Sequence, residues 1–103
     1  MDIILKQKIS RLKLHYLDEG FILLGIFGSY ARGEQISGSD LDLLYELNEK
    51  FYSRYIGWEA CYRLQNIKSE LESEFGLNVD LANKNALNVV GIKYILPEVQ
   101  YVT

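Results

Sequence analysis

Asp40 and Asp42 stand one residue apart, with Leu41 between them and Leu43 after. Successive side chains on a β-strand point to opposite faces. The alternation therefore predicts a strand over residues 40–47 with Leu41 and Leu43 on one side and both carboxylates on the other. Two carboxylates held side by side repel until a proton or a cation relieves them. Gly28-Ser29, separated from Asp40 by ten residues, forms a small turn able to hold phosphate. A divalent metal meeting a phosphate-bearing substrate is the most economical reading of the two together.

The remaining chain supplies the elements around that strand. Leu5, Ile9, Leu12 and Tyr16 recur at helical spacing and predict an amphipathic helix over 2–18, stopped by Gly20. Residues 21–27 form an apolar run short enough for a strand buried on both faces. Residues 28–38 have loop composition, with a single helical turn at Tyr30-Ala31-Arg32. A long helix is expected over 50–75, irregular near Gly57 and capped by Gly76. Val79 and Leu81 fall on one face of a strand at 78–82, with Asp80 on the other. A helix over 86–96 ended by Pro97 and a strand at 99–102 complete the chain. With 103 residues, no repeat and no linker, one domain spanning 1–103 is expected.

The formal charge of −3 and pI near 5.1 argue against broad phosphate neutralisation on nucleic acid. Direct nucleic-acid binding is therefore not expected. Cys61 alone forms no internal disulfide and His15 alone builds no zinc site. Nor is there an apolar run of the roughly 20 residues that span a bilayer. A cytoplasmic protein is expected.

Nucleotidyl transfer needs the triphosphate gripped, its charge neutralised and an acceptor hydroxyl placed in line with the α-phosphorus. Magnesium takes hard oxygen ligands and keeps several waters, so a few carboxylates suffice. Asp40 and Asp42 offer two. Asp80, on a strand returned to the same sheet by a long helix, is the natural third, since neighbouring strands lie about 4.8 Å apart. Glycine at 28 lets backbone approach a ligand. Amides at the start of a short helix, with the Ser29 hydroxyl, point donors at an anion. Arg32, one turn on, reaches the phosphates or pairs with Glu34.

These residues resemble a known family. Gly28-Ser29, ten residues, then Asp40-Leu41-Asp42 matches the signature of the DNA polymerase β-like nucleotidyltransferases, and GSYARGEQISGSDLDLL is similar to its smallest members, the minimal nucleotidyltransferases (MNT). Asn78-Val79-Asp80-Leu81 matches the strand carrying the family's third carboxylate. The resemblance, over roughly residues 21–83, implies an α/β fold: a small mixed β-sheet with flanking helices. It also implies Mg²⁺, two ions, and ATP as substrate. Asp40 and Asp42 would be metal ligands, Asp80 a ligand or base, and Gly28 and Ser29 the phosphate grip, with Arg32 beside them. Short members are commonly antitoxins of a HEPN-domain toxin, an RNase, and some transfer AMP to a tyrosine of that toxin. The acceptor is then a partner protein. Two alternatives stay open: a non-catalytic binding module of the same fold, and a transferase for small antibiotic-type molecules.

Other residues carry weaker signals. Lys84 reads as a solvated loop lysine, His15 as a surface residue and Cys61 as a small buried hydrophobe. Along the long helix, Ile56, Ala60, Leu64, Ile67 and Leu71 form the expected core stripe. Phe51, Tyr55, Trp58 and Tyr62 form a second face, flanked by Arg54 and Arg63, which packs within the chain or meets a partner in a hetero- or homo-oligomer.

Overall fold

The computed structural model describes residues 2–102. Helix α1 (Ile3–Leu17) begins where Asp2 accepts from the Ile4 and Leu5 amides at 2.7 and 3.4 Å, satisfying two donors that the first turn leaves free. Strand β1 (Phe21–Phe27) runs into the short helix α2 (Gly28–Arg32). Strand β2 is Leu41–Leu47 and strand β3 is Val79–Asn83. They are joined by α3 (Glu49–Arg54) and α4 (Trp58–Phe75). Turns at Lys84–Ala86 and Leu96–Glu98 bracket α5 (Val89–Tyr94), and strand β4 (Gln100–Tyr101) follows.

The sheet order is β3-β2-β1-β4. β2 and β3 are parallel, whereas β1 is antiparallel to both β2 and β4. This is the mixed sheet with flanking helices expected from the resemblance. Ile9, Leu12 and Tyr16 of α1 and Ile67 and Leu71 of α4 pack in one core with Leu23, Leu41 and Leu43 of the strands. Asp42 alternates to the other face, as the pattern at 40–44 required. Among the described residues no helix is long and apolar enough to cross a membrane.

Three expectations need correction. The helix expected over 50–75 is two helices, because Tyr55 is extended and Gly57 sits at φ +61. That break rotates the faces relative to each other. Phe51 is fully buried in the core, while Ile56, assigned to the core stripe, is 72% exposed. Cys61 is exposed rather than buried. The helix expected over 86–96 shrinks to Val89–Tyr94, since Asn88 caps it at one end and Pro97 turns the chain at the other.

Away from the Asp42 face, a polar network joins α1, α3 and α4. Arg63 donates to both oxygens of Glu19 at 2.6 and 2.7 Å and to Glu70 at 2.8 Å. The hydroxyl of Tyr16 donates to Glu70 at 2.8 Å and that of Tyr55 to Glu19 at 2.5 Å. The end of α1, the end of α3 and α4 are thereby tied together through Glu19, Glu70 and the Arg63 guanidinium.

Candidate active site

Register brings the site together. Phe27 of β1 stands opposite Asp42 of β2, and Asp42 stands beside Asp80 of β3. Gly28 follows Phe27 directly, so the glycine lands over the Asp42 carboxylate. Its φ is +72, and a Cβ at that position would overlap Asp42 Oδ2. Only glycine meets both demands.

Electrostatics mark the same spot. Burial pushes the Asp42 carboxyl up to about 6, and the neighbouring charges of Asp80 and then Asp40 add to it. Close approach of the Asp80 carboxyl raises it further, and the Arg32 charge opposes. Uncompensated carboxylates gathered in one place are costly unless a ligand neutralises them. Two hard oxygen donors side by side fit a divalent cation that prefers oxygen. Asp40, just before β2, is exposed. Among the described residues no three acidic, His or Cys groups converge into a closed metal cluster, so Asp42 and Asp80 are the adjacent pair and Asp40 stands at their margin.

Gly28 and Ser29 open α2. The helix closes at Gly33, whose amide donates to the Ser29 carbonyl. Arg32 pairs with Glu34 at 3.4 Å and also with Glu98 at 3.0 Å. Glu98 was invisible to sequence reasoning. Its Oε1 accepts from the Gly28 amide at 3.0 Å, and its Oε2 from Arg32 Nη1. The two partners are 70 and 66 positions away, beyond any local motif; only the return of the chain through β4 brings Glu98 to this place. Lys84 is exposed on its turn, as read from the sequence.

The carboxylate pair stands at one end of the sheet, at the second position of β2 and of β3. A groove of about 590 Å³, lined by Ser39, Ser69, Ser73 and Asn78 among others, lies between the end of α4 and the loops that precede β2 and β3. Ser39 precedes Asp40 and Asn78 lies two residues before Asp80 in the chain, but Asp40, Asp42 and Asp80 do not line the groove.

Comparison with known proteins agrees with this arrangement. The Nucleotidyltransferase domain family matches residues 4–102. The chain is similar to protein adenylyltransferase MntA of Thermococcus cleftensis, 35% identical over 79 residues that make 77% of this chain and 72% of that protein. It is also similar to MJ1379 of Methanocaldococcus jannaschii, a candidate protein adenylyltransferase, 36% identical over 75 residues, 73% of this chain and 69% of that one. Among solved structures, a candidate minimal nucleotidyltransferase aligns with a TM-score of 0.67 and 29% identity, over 97% of this chain and 95% of the other. A toxin–antitoxin structure with AMP-PNP aligns with a TM-score of 0.57 and 25% identity, over 82% of this chain and 61% of that chain. With the mixed sheet, the glycine laid over paired carboxylates and a family match covering residues 4–102, the chain belongs to the nucleotidyltransferase domain family.

Proposed function

We propose that this chain is a Mg²⁺-dependent transferase that moves AMP from ATP to a hydroxyl, a tyrosine, of a HEPN-type toxin, and so acts as its antitoxin. The observation that carries the chemistry is the Asp42–Asp80 pair beneath Gly28, whose mutual repulsion and burial hold the Asp42 carboxyl above its ordinary range. The names of two relatives support the adenylyl donor and a protein acceptor. The AMP-PNP in the toxin–antitoxin neighbour supports ATP, and that assembly supports a toxin as partner.

Asp42 and Asp80, with Asp40 beside them, would hold the magnesium, which supplies charge neutralisation on the phosphates and makes the acceptor hydroxyl more acidic. The chain's residues do the rest. Gly28 lets the phosphates lie against backbone, with the Ser29 hydroxyl and Arg32 as further donors. Asp80 orients the acceptor and takes its proton. The acceptor oxygen bonds to the α-phosphorus, the bond to the β-phosphate breaks, and pyrophosphate leaves with that electron pair.

An exposed apolar surface supports a protein partner. Trp58 is 81% exposed and Tyr62 72% exposed, with Ile56 beside them in sequence. Large aromatics are the residues most enriched at interface centres.

Labelled ATP, Mg²⁺ and the toxin from the adjacent gene test the reading. Label is expected on a toxin tyrosine with the wild type and on none with Asp42→Asn/Asp80→Asn. If that double variant still protects cells while transferring nothing, neutralisation is by contact alone. Label moving to a small molecule with no partner present would return the antibiotic-type reading.

A further inference from the structure

Glu98 holds the two donors that a phosphate would use. Its two oxygens bridge the Gly28 amide and the Arg32 guanidinium, each at 3.0 Å. The bridge is held in place by the segment that carries it. The turn Leu96–Glu98 leads into β4, which pairs with β1 at Gly25 and Ile26. The Gln100 side-chain amide donates to the Ala31 carbonyl at 2.6 Å, and the Val102 amide to Leu24 at 2.8 Å. Residues 96–102 thus lie as a strap across α2, and the carboxylate side chain, 29% exposed, faces the grip. A carboxylate and a phosphate oxygen are alike to a backbone amide and an arginine: both are anionic acceptors that a guanidinium binds through parallel donors.

We propose that Glu98 is an internal phosphate surrogate, an autoinhibitory contact that a triphosphate must displace from Gly28 and Arg32 before it binds. The proposal rests on the phosphate-grip reading above. It adds that the free chain is self-occupied, and that apparent affinity for polyphosphate is lowered by the fraction of molecules in which Glu98 is seated. In the seated state the contact satisfies an amide and a guanidinium that would otherwise wait for ligand. In the released state the same carboxylate carries its charge away from the incoming phosphates.

Calorimetric titration of the full chain with inorganic tripolyphosphate, ATP–Mg²⁺ and adenosine separates the possibilities. Glu98→Ala is expected to tighten tripolyphosphate and ATP by about tenfold, the order set by a state seated nine times in ten, and to leave adenosine unchanged. Glu98→Gln, which keeps the shape and one neutral acceptor, is expected to fall between. Glu34→Gln is the control for charge, since Glu34 meets the same arginine without touching Gly28; it is expected to gain less than half as much. Equal gains at Glu34 and Glu98 would reduce the effect to charge removal and overturn the proposal. So would unchanged or weaker tripolyphosphate binding in Glu98→Ala whose far-ultraviolet spectrum and melting match wild type. If Glu98→Ala does not fold, the Glu98→Gln comparison decides on the same criteria. Failure of the transferase reading looks different: ATP binds, Glu98 variants tighten it, and no AMP reaches any partner. If neither wild type nor any variant binds tripolyphosphate or ATP, there is no grip to occupy and the proposal falls.

Discussion

Two polar clusters in this small fold are built on opposite principles. In the Arg63 network every acid meets a donor: the guanidinium serves Glu19 and Glu70, and the hydroxyls of Tyr16 and Tyr55 complete it. Glu19 is accordingly held below the usual carboxylate range, chiefly by its bond from Arg63. At the other cluster Asp42 and Asp80 stand side by side with Asp40 at their margin, no ion pair reaches them among the described residues, and Asp42 is pushed the opposite way. Arg32, whose charge opposes that shift, is engaged with Glu98 and Glu34. A cluster that neutralises itself holds elements together. One that does not is left with a repulsion that costs stability.

The largest expected break in this symmetry is catalytic. Asp42→Asn should lower AMP transfer by at least about a thousandfold, the consequence of losing several kcal/mol of charge stabilisation in the transition state. The same change should raise the melting temperature in chelator, because it deletes a repelled carboxylate. An active Asp42→Asn enzyme, or one less stable than wild type, would contradict the reading of this cluster.

Arg63→Met should do the reverse. Arg63 and Glu19 are 19% and 14% exposed in their side chains, so removing one partner strands a largely buried charge. Loss of about 3 kcal/mol in urea unfolding is expected, with transfer per folded molecule unchanged. A fall in activity among folded molecules would show that the network reaches the site.

Gly28→Ala should cost less stability, about 1–2 kcal/mol for an alanine at positive φ, yet abolish transfer, since its Cβ would overlap Asp42. Gly33→Ala provides the contrast: φ is +70 there, but an added Cβ meets nothing within 4 Å. Equal activities of the two variants, measured with labelled ATP and toxin, would remove the steric argument.

How legible each cluster was in the sequence follows from its range. The strand at 40–47 and the Asp80 strand declared themselves because alternation is a local property, and their register followed once β2 and β3 became neighbours. Placing Phe51 in the core defeated a single helical projection, since Gly57 resets the phase and no count of residues across it holds. Arg63 read only as a flank of a face that packs within the chain or meets a partner, because Glu19 lies 44 positions away. Glu98 meets Gly28 over 70. Long-range acid–base pairs leave no periodicity, so they appear only when the chain is folded.

The smallest effect compares the two clusters in one titration. The Asp42 carboxyl is raised from 3.8 to about 6 in the fold, so its contribution is fully present below about pH 4 and is lost as pH climbs through about 6. Glu19 is lowered from 4.5, so its contribution is present above that value and is lost as pH falls below it. In chelator the two slopes oppose, and stability should peak at about pH 4 and decline by about 1 kcal/mol toward pH 7, after allowance for solvent around a partly exposed Asp42. Asp42→Asn should flatten the decline on the neutral side and leave the acid side untouched; Glu19→Gln should flatten the acid side alone. Added magnesium should act like Asp42→Asn if the carboxylate pair takes it. Unfolding free energies at half-unit pH steps measure all four curves. A neutral-side slope that survives in Asp42→Asn would mean that the uncompensated charge lies elsewhere, and the contrast between the clusters would lose its physical basis.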